Sequence, residues 1–419
     1  MTDSTRPRIG LALAGGGPLG AIYEIGALCA LDEAIPGLDL NAMDGYVGVS
    51  AGGFVAAGLA NGLTARQLCT AFIENEGPAN DIVRPGLFIR PALAEYARRL
   101  ALLPAVAARA GYGFALQGRP LLAALEQLGR VLPTGLFANA PLERQVRRLL
   151  SAPGRHNDFR HLQAERGRRL VLVATDLDSG EAAPFGLPGW DQVPISEAVA
   201  ASAALPGLFP PVQLKGPHGP RWYVDGALKK TLHARVLLDM GLDLVLCLNP
   251  LVPFDATHAR HRVLAQGEER IPNLVDGGLP VVLSQTFRTL IHSRLELGMK
   301  GYESSHPGTD ILLFEPDHRD GALFLANTFG YGQRRRLVEH AYQRTRADLR
   351  SRRGTLGAAL ARHGLVLNDA VLDDPHRHLL RPSHDQGKTR PGSRAAKALR
   401  RLDEVLDDLQ RSLAAFEPK

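Results

Sequence analysis

Cysteine is scarce in this chain, aromatic residues are few, and no apolar run is long. The only cysteines are Cys29, Cys69 and Cys247, each in an apolar segment. No metal-ligand spacing joins them, so they read as buried free thiols of a reducing compartment. Aromatics make up 6% of the residues, and no nucleic-acid-binding motif is present, which argues against a nucleic-acid partner. No uninterrupted apolar stretch reaches the ~20 residues of a membrane span. The opening "MTDSTRPRIGLALAGGG" has an apolar run too short for a signal peptide, and it leads straight into glycines. A cytoplasmic protein is expected. No calcium loop, cofactor motif or internal repeat is found.

What is present is the composition of a soluble enzyme: 45% hydrophobic and 22% charged over 419 residues. That length suits one large domain with additions. The formal net charge of +6 is spread widely and reads first as a solvated, arginine-rich surface. The same charge suits peripheral contact with an anionic membrane, here the inner face.

Along the chain, "RIGLALA" (8–14) predicts a short buried strand. A glycine turn, Gly15 to Gly20, leads into the apolar helix "AIYEIGALCALDEA" (21–34). The strand "GYVGVS" and a second apolar helix follow. This β-turn-α-β-turn-α opening predicts a mostly parallel sheet covered by helices. Residues 81–155 read as helical throughout, a cap-like insertion. Further strands are predicted in "RRLVLVATDLDSG" (168–180), "RWYVDGALKKT" (221–231), "LDLVLCLNP" (242–250) and "TDILLFEP" (309–316). "ISEAVAASAALPGLFPPVQL" (195–214) is a helix ended by Pro206, then a loop. Domain boundaries are set at 8–316 for the core, 317–374 for a helical extension and 375–392 for a basic, breaker-rich linker. The three histidines of that linker have no companion carboxylate or thiol pattern and read as solvated loop. Residues 393–417 are predicted to be an amphipathic helix with Ser393 as N-cap. Its Leu399, Leu402, Leu406, Leu409, Leu413 and Phe416 recur at heptad spacing, so a homodimer through this helix is expected.

Three elements carry chemistry. Ser50 stands between Gly48 and Gly52 at a strand-to-helix turn, the G-x-S-x-G pattern that lifts a serine hydroxyl clear of a sheet edge. The turn at Gly15, Gly16, Gly17 and Gly20 has the G-x-G-x-x-G form of a dinucleotide site. That use requires an acidic residue closing the second strand. The second strand closes instead in Ser50, and Asp39 lies before it. The other use of such a turn is an oxyanion hole, with N–H groups at a helix N-terminus aimed at developing negative charge. The third element, Asp225-Gly226-Ala227, alone reads as an ordinary turn.

In that order, the glycine turn, the serine elbow and the D-G-A resemble the patatin-like phospholipases, and "AASAALPGLFPPV" (200–212) resembles their stretch before the aspartate strand. The resemblance covers residues 8 to 250, extending toward 316. It implies a three-layer α/β/α sandwich with a mostly parallel sheet, helical additions and a C-terminal helix. It implies a serine carboxylic-ester hydrolase without metal or cofactor, in which Ser50 attacks a fatty-acyl ester and Asp225 takes its proton. The backbone N–H groups of Gly15, Gly16, Gly17 and Ala51 would hold the oxyanion. Members often carry basic residues where Leu19 and Ala200 stand, so a polar contact near the glycine turn is missing from this pattern. The expected partner is a lipid or other acyl-ester substrate. The alternatives are a hydrolase of triacylglycerol, thioester or polyester bonds, and a non-catalytic scaffold that keeps the fold. Leu93, Leu100, Leu103, Leu121, Leu122, Leu125 and Leu128 in the insertion are expected mostly to pack into the core. Arg98, Arg99 and Arg109 are candidates to face lipid phosphates.

Overall fold

A computed structural model describes residues 6–83, 85–117, 129–257, 273–324, 326 and 333–380. The heptad helix at 393–417, most of the basic linker, and Leu121, Leu122, Leu125 and Leu128 lie outside the described residues.

One eight-stranded sheet forms the centre. The strands are β1 (Ile9–Leu13), β2 (Gly45–Val49), β3 (Arg169–Asp176), β4 (Ala182–Phe185), β5 (Val212–Gly216), β6 (Gly219–Asp225), β7 (Leu244–Leu248) and β8 (Asp310–Phe314). The described helices are α1 (Gly17–Ala34), α2 (Ala51–Ala60), α3 (Ala65–Cys69), α4 (Leu93–Gln117), α5 (Ala140–Leu150), α6 (Phe159–Arg166) and α7 (Ile195–Ser202). They continue with α8 (Arg235–Leu238), α9 (Gly278–Ser305), α10 (Gly321–Phe324), α11 (Arg334–Ser351), α12 (Arg353–Ala361) and α13 (Asp369–Asp373).

Strands β3, β2, β1, β7 and β8 run parallel, in that spatial order. The residues of β1, β2, β3 and β7 are nearly all buried and read as continuous apolar runs, the pattern of strands covered on both faces. Alternation divides the faces. Val47 and Val49 of β2, with Val171, Val173, Val245 and Cys247, pack toward α8 and Leu295 of α9. Gly48 faces the other way, where a Cβ would lie 2.5 Å from Gly53 Cα of α2. Helices therefore cover both faces, the three-layer sandwich expected from the sequence.

The antiparallel strands build the site. β3 pairs with β2 through residues 169–173, with β4 through 172–175, and with β6 through 174–176. The β4 pairing overlaps each of the other two, so β4 holds one edge of β3. β2 and β6 must share the opposite edge, meeting end to end. The last residue of β2 is followed by Ser50, and the last residue of β6 is Asp225. This topology brings the two together from far apart in sequence.

One expectation changes. Leu93, Leu100 and Leu103 of α4 are exposed, as is Leu102, so this helix presents apolar side chains outward and does not bury them in a core. Arg98 and Arg99 are both bound to Glu95, a carboxylate that also accepts from the Thr134 hydroxyl at 2.9 Å. Burial pushes the Glu95 carboxyl up, but the bonds from Arg99, Thr134 and Arg98 outweigh it and hold the group at about 2. Glu95 thereby fastens α4 to the segment around Thr134, while Arg98 and Arg99 pair with it along their own helix. Cys29, Cys69 and Cys247 are buried free thiols.

Candidate active site

Ser50 caps α2 with φ 53° and ψ −122°. A non-glycine residue in that region costs on the order of 1–3 kcal/mol, and it persists only where its surroundings hold it. Here they do. The N–H of Ser50 donates to Ser202 Oγ at 2.8 Å, and Ser202 Oγ donates to the Val173 carbonyl at 2.6 Å. Ser202 thus occupies the place of the next rung between β2 and β3. From the other side, the Gly52 N–H donates to the Ala14 carbonyl at 3.1 Å. A Cβ at Gly52 would lie 2.4 Å from that oxygen, so only glycine permits the approach.

Asp225 is equally constrained. Its N–H donates to the Ala204 carbonyl at 3.0 Å, and its carbonyl accepts from Thr175 Oγ1 at 3.1 Å. Its carboxylate accepts from the Ala227 N–H at 2.9 Å. Ser50 and Asp225 are both buried. Burial raises the Asp225 carboxyl to about 6, with the nearby Ser50 side chain and the Ala227 N–H offsetting part of the rise. Gly226 packs between Val173 and Val49, which fixes the turn against both strands.

The glycine turn passes beside this pair. A Cβ at Gly15 would lie 3.1 Å from Ser50 Cβ and 3.4 Å from Ala227 Cβ. Gly16 has φ 152° and caps α1, and Gly17 has φ 60°. These left-handed values turn the chain sharply from β1 into the helix. Among the described residues, the N–H groups of Gly16, Gly17 and Ala51 make no internal hydrogen bond. α1 has no acidic residue in its first turn, and α2 begins directly beneath Ser50. Both helix N-termini therefore direct partial positive charge to the pocket edge.

Every residue singled out from the motifs is thus gathered at the carboxyl end of the parallel strands. Ser202 and Thr175 were missed. A serine in "AVAASAAL" carries no local pattern, and its role depends on a gap in a ladder that only the tertiary structure creates. His233 comes close, with Nε2 3.3 Å from the Gly226 carbonyl, but it faces backbone. Burial lowers its imidazole to about 4. Among the described residues, no group of three or more His, Cys, Asp or Glu side chains converges as a metal site.

With that geometry established, comparison with known proteins places the chain. The model of the patatin-like phospholipase family matches residues 11–238. The chain belongs to the patatin-like phospholipase family. Among solved structures, VipD from Legionella pneumophila matches with 17% identity and a TM-score of 0.32, over 87% of this chain and 76% of that one. The type III effector ExoU matches with 16% identity and a TM-score of 0.32, over 83% of this chain and 53% of its own length. ExoU of Pseudomonas aeruginosa in complex with SpcU matches with 15% identity and a TM-score of 0.26, over 71% of this chain and 53% of that one. The chain thus spans about half of ExoU. Among the described residues, no helix is long and apolar enough to cross a membrane.

Two outcomes follow from the geometry. Ser202→Ala leaves the Ser50 N–H and the Val173 carbonyl without their shared partner, and urea unfolding should show a loss of about 1–3 kcal/mol. For Asp225, the ordinary carboxyl value is 3.8 and the folded value about 6. Between these, the folded chain keeps a proton that the unfolded chain has lost. The stability this contributes is complete below pH 3.8 and is lost as pH rises through about 6. Asp225→Asn removes the effect, so its stability relative to the parent should climb by about 2 kcal/mol from pH 4 to pH 7.5. Parallel pH profiles for the two proteins would contradict the raised value.

Proposed function

We propose that the protein is a serine acyl-ester hydrolase of lipids, with Ser50 as nucleophile and Asp225 as its base. The observation that carries this reading is the placement of the Ser50 side chain beside a buried Asp225 carboxylate, close enough to lower its pKa. A carboxylate with an ordinary value is a weak base. One raised to about 6 by burial is a better one, and it remains ionised at neutral pH. Ser50 Oγ attacks the ester carbonyl as its proton passes to Asp225. The N–H groups of Gly16, Gly17 and Ala51 receive the oxyanion. The proton then goes to the leaving alcohol. Asp225 next draws a proton from water, which attacks the acyl-enzyme and releases the fatty acid.

Two features support a lipid substrate. Leu93, Leu100 and Leu103 are exposed along α4. Leu279, Leu283, Leu290 and Leu297 are exposed along α9, whose Ile291 carbonyl accepts from Thr231 and whose Arg294 donates to the Leu228 carbonyl, just past Asp225. An apolar helix face beside the site suits an acyl chain.

The test is labelling with a fluorophosphonate probe, followed by assay on acyl esters of graded chain length. Ser50→Ala should abolish labelling and lower turnover by at least about 10³-fold. Asp225→Asn should approach that loss, and the double variant should be no worse, because the pair acts as a unit. The rate should rise with pH through an apparent value near that of Asp225, about 6, and His233→Asn should keep that limb. An unlabelled Ser50 in folded protein would leave the scaffold reading standing.

A further inference from the structure

The second turn of α1 carries a glutamate with nothing to bind. Glu24 is fully buried, and neither of its Oε atoms has a hydrogen-bond partner. Other carboxylates buried in the described core are repaid: Asp81 by Arg155, Glu95 by Arg99, Asp176 by Arg221 and Asp320 by His340. The position of Glu24 on the helix says where it points. Helical side chains lean toward the N-terminus, so Glu24 reaches back over Gly20, one turn earlier. Gly20 is where α1 meets the glycine turn: a Cβ there would lie 3.3 Å from the Gly15 carbonyl oxygen. The one backbone group that acts on the Glu24 carboxyl is the Ala14 N–H, which already donates to the Leu248 carbonyl at 3.1 Å. The Ala14 carbonyl in turn holds the Gly52 N–H of the serine elbow. Glu24 therefore lies on the buried side of the turn whose outer side borders Ser50.

Burial pushes the Glu24 carboxyl well above the ordinary carboxylate range, and the Ala14 N–H offsets only part of the rise. The charged and titratable groups packed on α1 face other residues of it. Asp348 and Arg352 of α11, with Glu315 just past β8, act on Tyr23. Cys69 and Arg66 of α3 act on Cys29, and Tyr342 and Arg377 bind Glu33. Asp369 and Asp373 of α13 pair with Arg353. α2 and β1 contain no titratable residue, Tyr46 of β2 donates to the Leu40 carbonyl, and Cys247 of β7 packs toward α8. Glu24 and Asp225 do not act on each other. A buried acid with no cation and no donor of its own costs stability, and nothing in the packing around it returns that cost.

We propose that Glu24 is a positioning residue for the oxyanion turn: as a neutral acid it leaves the Gly16 and Gly17 N–H groups turned to the substrate, and as an anion it draws the turn's donors inward and stops turnover. The inference rests on the acyl-hydrolase reading and adds to it a limit set by alkaline pH. A neutral carboxyl is a weak acceptor. Once its proton has gone to solvent, a buried carboxylate without a cation has to recruit N–H groups. The nearest is that of Ala14, taken from the Leu248 carbonyl. Next along the chain are those of Gly16 and Gly17, which have no internal bond to hold them. No side chain at residues 15 to 17 resists the movement. A shift of Ala14 also pulls on Gly52, and through it on Ser50.

The experiment measures kcat and KM on a soluble p-nitrophenyl ester from about pH 5 to about pH 10 in the parent, Glu24→Gln and Glu24→Met, with the melting temperature of each protein over the same range. In the parent, kcat should rise with Asp225 and then fall at least about 10-fold on the alkaline side, with KM changing less, because the donors lost are those of the transition state. Neither variant can ionise at this position, and both should hold the plateau across the alkaline range. Glu24→Met, of similar length, serves if the amide variant does not fold. A parent without the alkaline fall, or a folded variant that keeps it, overturns the proposal. The melting temperatures give a readout independent of activity. The ordinary carboxyl value is 4.5 and the folded one lies well above it, so the stability contributed by the bound proton is complete below 4.5 and is lost as pH rises toward the folded value. The advantage of Glu24→Gln over the parent should therefore widen as pH rises above 4.5. A constant difference overturns the proposal whether or not the parent is active. A parent that cleaves no ester at any pH refutes the hydrolase reading instead.

Discussion

The carbonyl of Val173 accepts its hydrogen bond from a side chain, Ser202, where a neighbouring strand would otherwise provide the donor. That substitution is the constraint on which the rest of the site depends. β2 must stop at Val49 so that Ser50 can turn out of the sheet, and a stopped strand leaves a buried donor and acceptor unpaired. Ser202 satisfies both. The space beyond the stop lets β6 come in along the same edge of β3 and deliver Asp225. Ala204, two residues after Ser202, accepts from the Asp225 N–H. One short stretch at the end of α7 therefore holds both halves of the pair, and the positive φ of Ser50 is maintained by bonds that exist only when β2, β3, β6 and α7 are all assembled.

The electrostatics follow from the same closure. Asp225 is sealed between strands, so its carboxylate meets few dipoles: the Ser50 hydroxyl and the Ala227 N–H. Few partners and deep burial raise the pKa of a carboxyl that water would leave near 3.8. The glycine turn supplies the opposite polarity. Its N–H groups face outward because Gly16 and Gly17 take left-handed backbone angles and because the helix that follows cannot satisfy its own first donors. Acceptor and donors thus flank one point, and no side chain from the turn obstructs it.

Much of this was legible in the sequence. The parallel strands were readable because doubly covered strands are uninterrupted apolar runs, as in "RIGLALA" and "LDLVLCLNP". The elbow, the glycine turn and the D-G-A were readable because each is a local backbone requirement written in glycine. β4 and β5 were not. β4 holds Pro184, and β5 carries Gln213 and Lys215 outward, so neither shows a buried run. The leucines of α4 were misread because a leucine at helical spacing predicts packing somewhere, and the sequence does not say whether a partner exists. Ser202 carries the least local signal: it is a small polar residue among alanines and gains meaning only from what the fold places opposite it.

The end-to-end meeting of β2 and β6 also bears on how the molecule comes together. Ser50 and Asp225 are joined across a loop that takes in α3 to α7 and the whole of β3. Pairings of such sequence separation form late, because the chain entropy of closing them must be met before their contacts repay it. The geometry of Ser50 is therefore among the last features to appear in folding and among the first to be lost when the edge of β3 loosens. A half-assembled chain with most of its helices and parallel strands in place lacks the pairing of Ser50 with Asp225. The topology itself withholds the Ser50–Asp225 pair until the protein around it is complete.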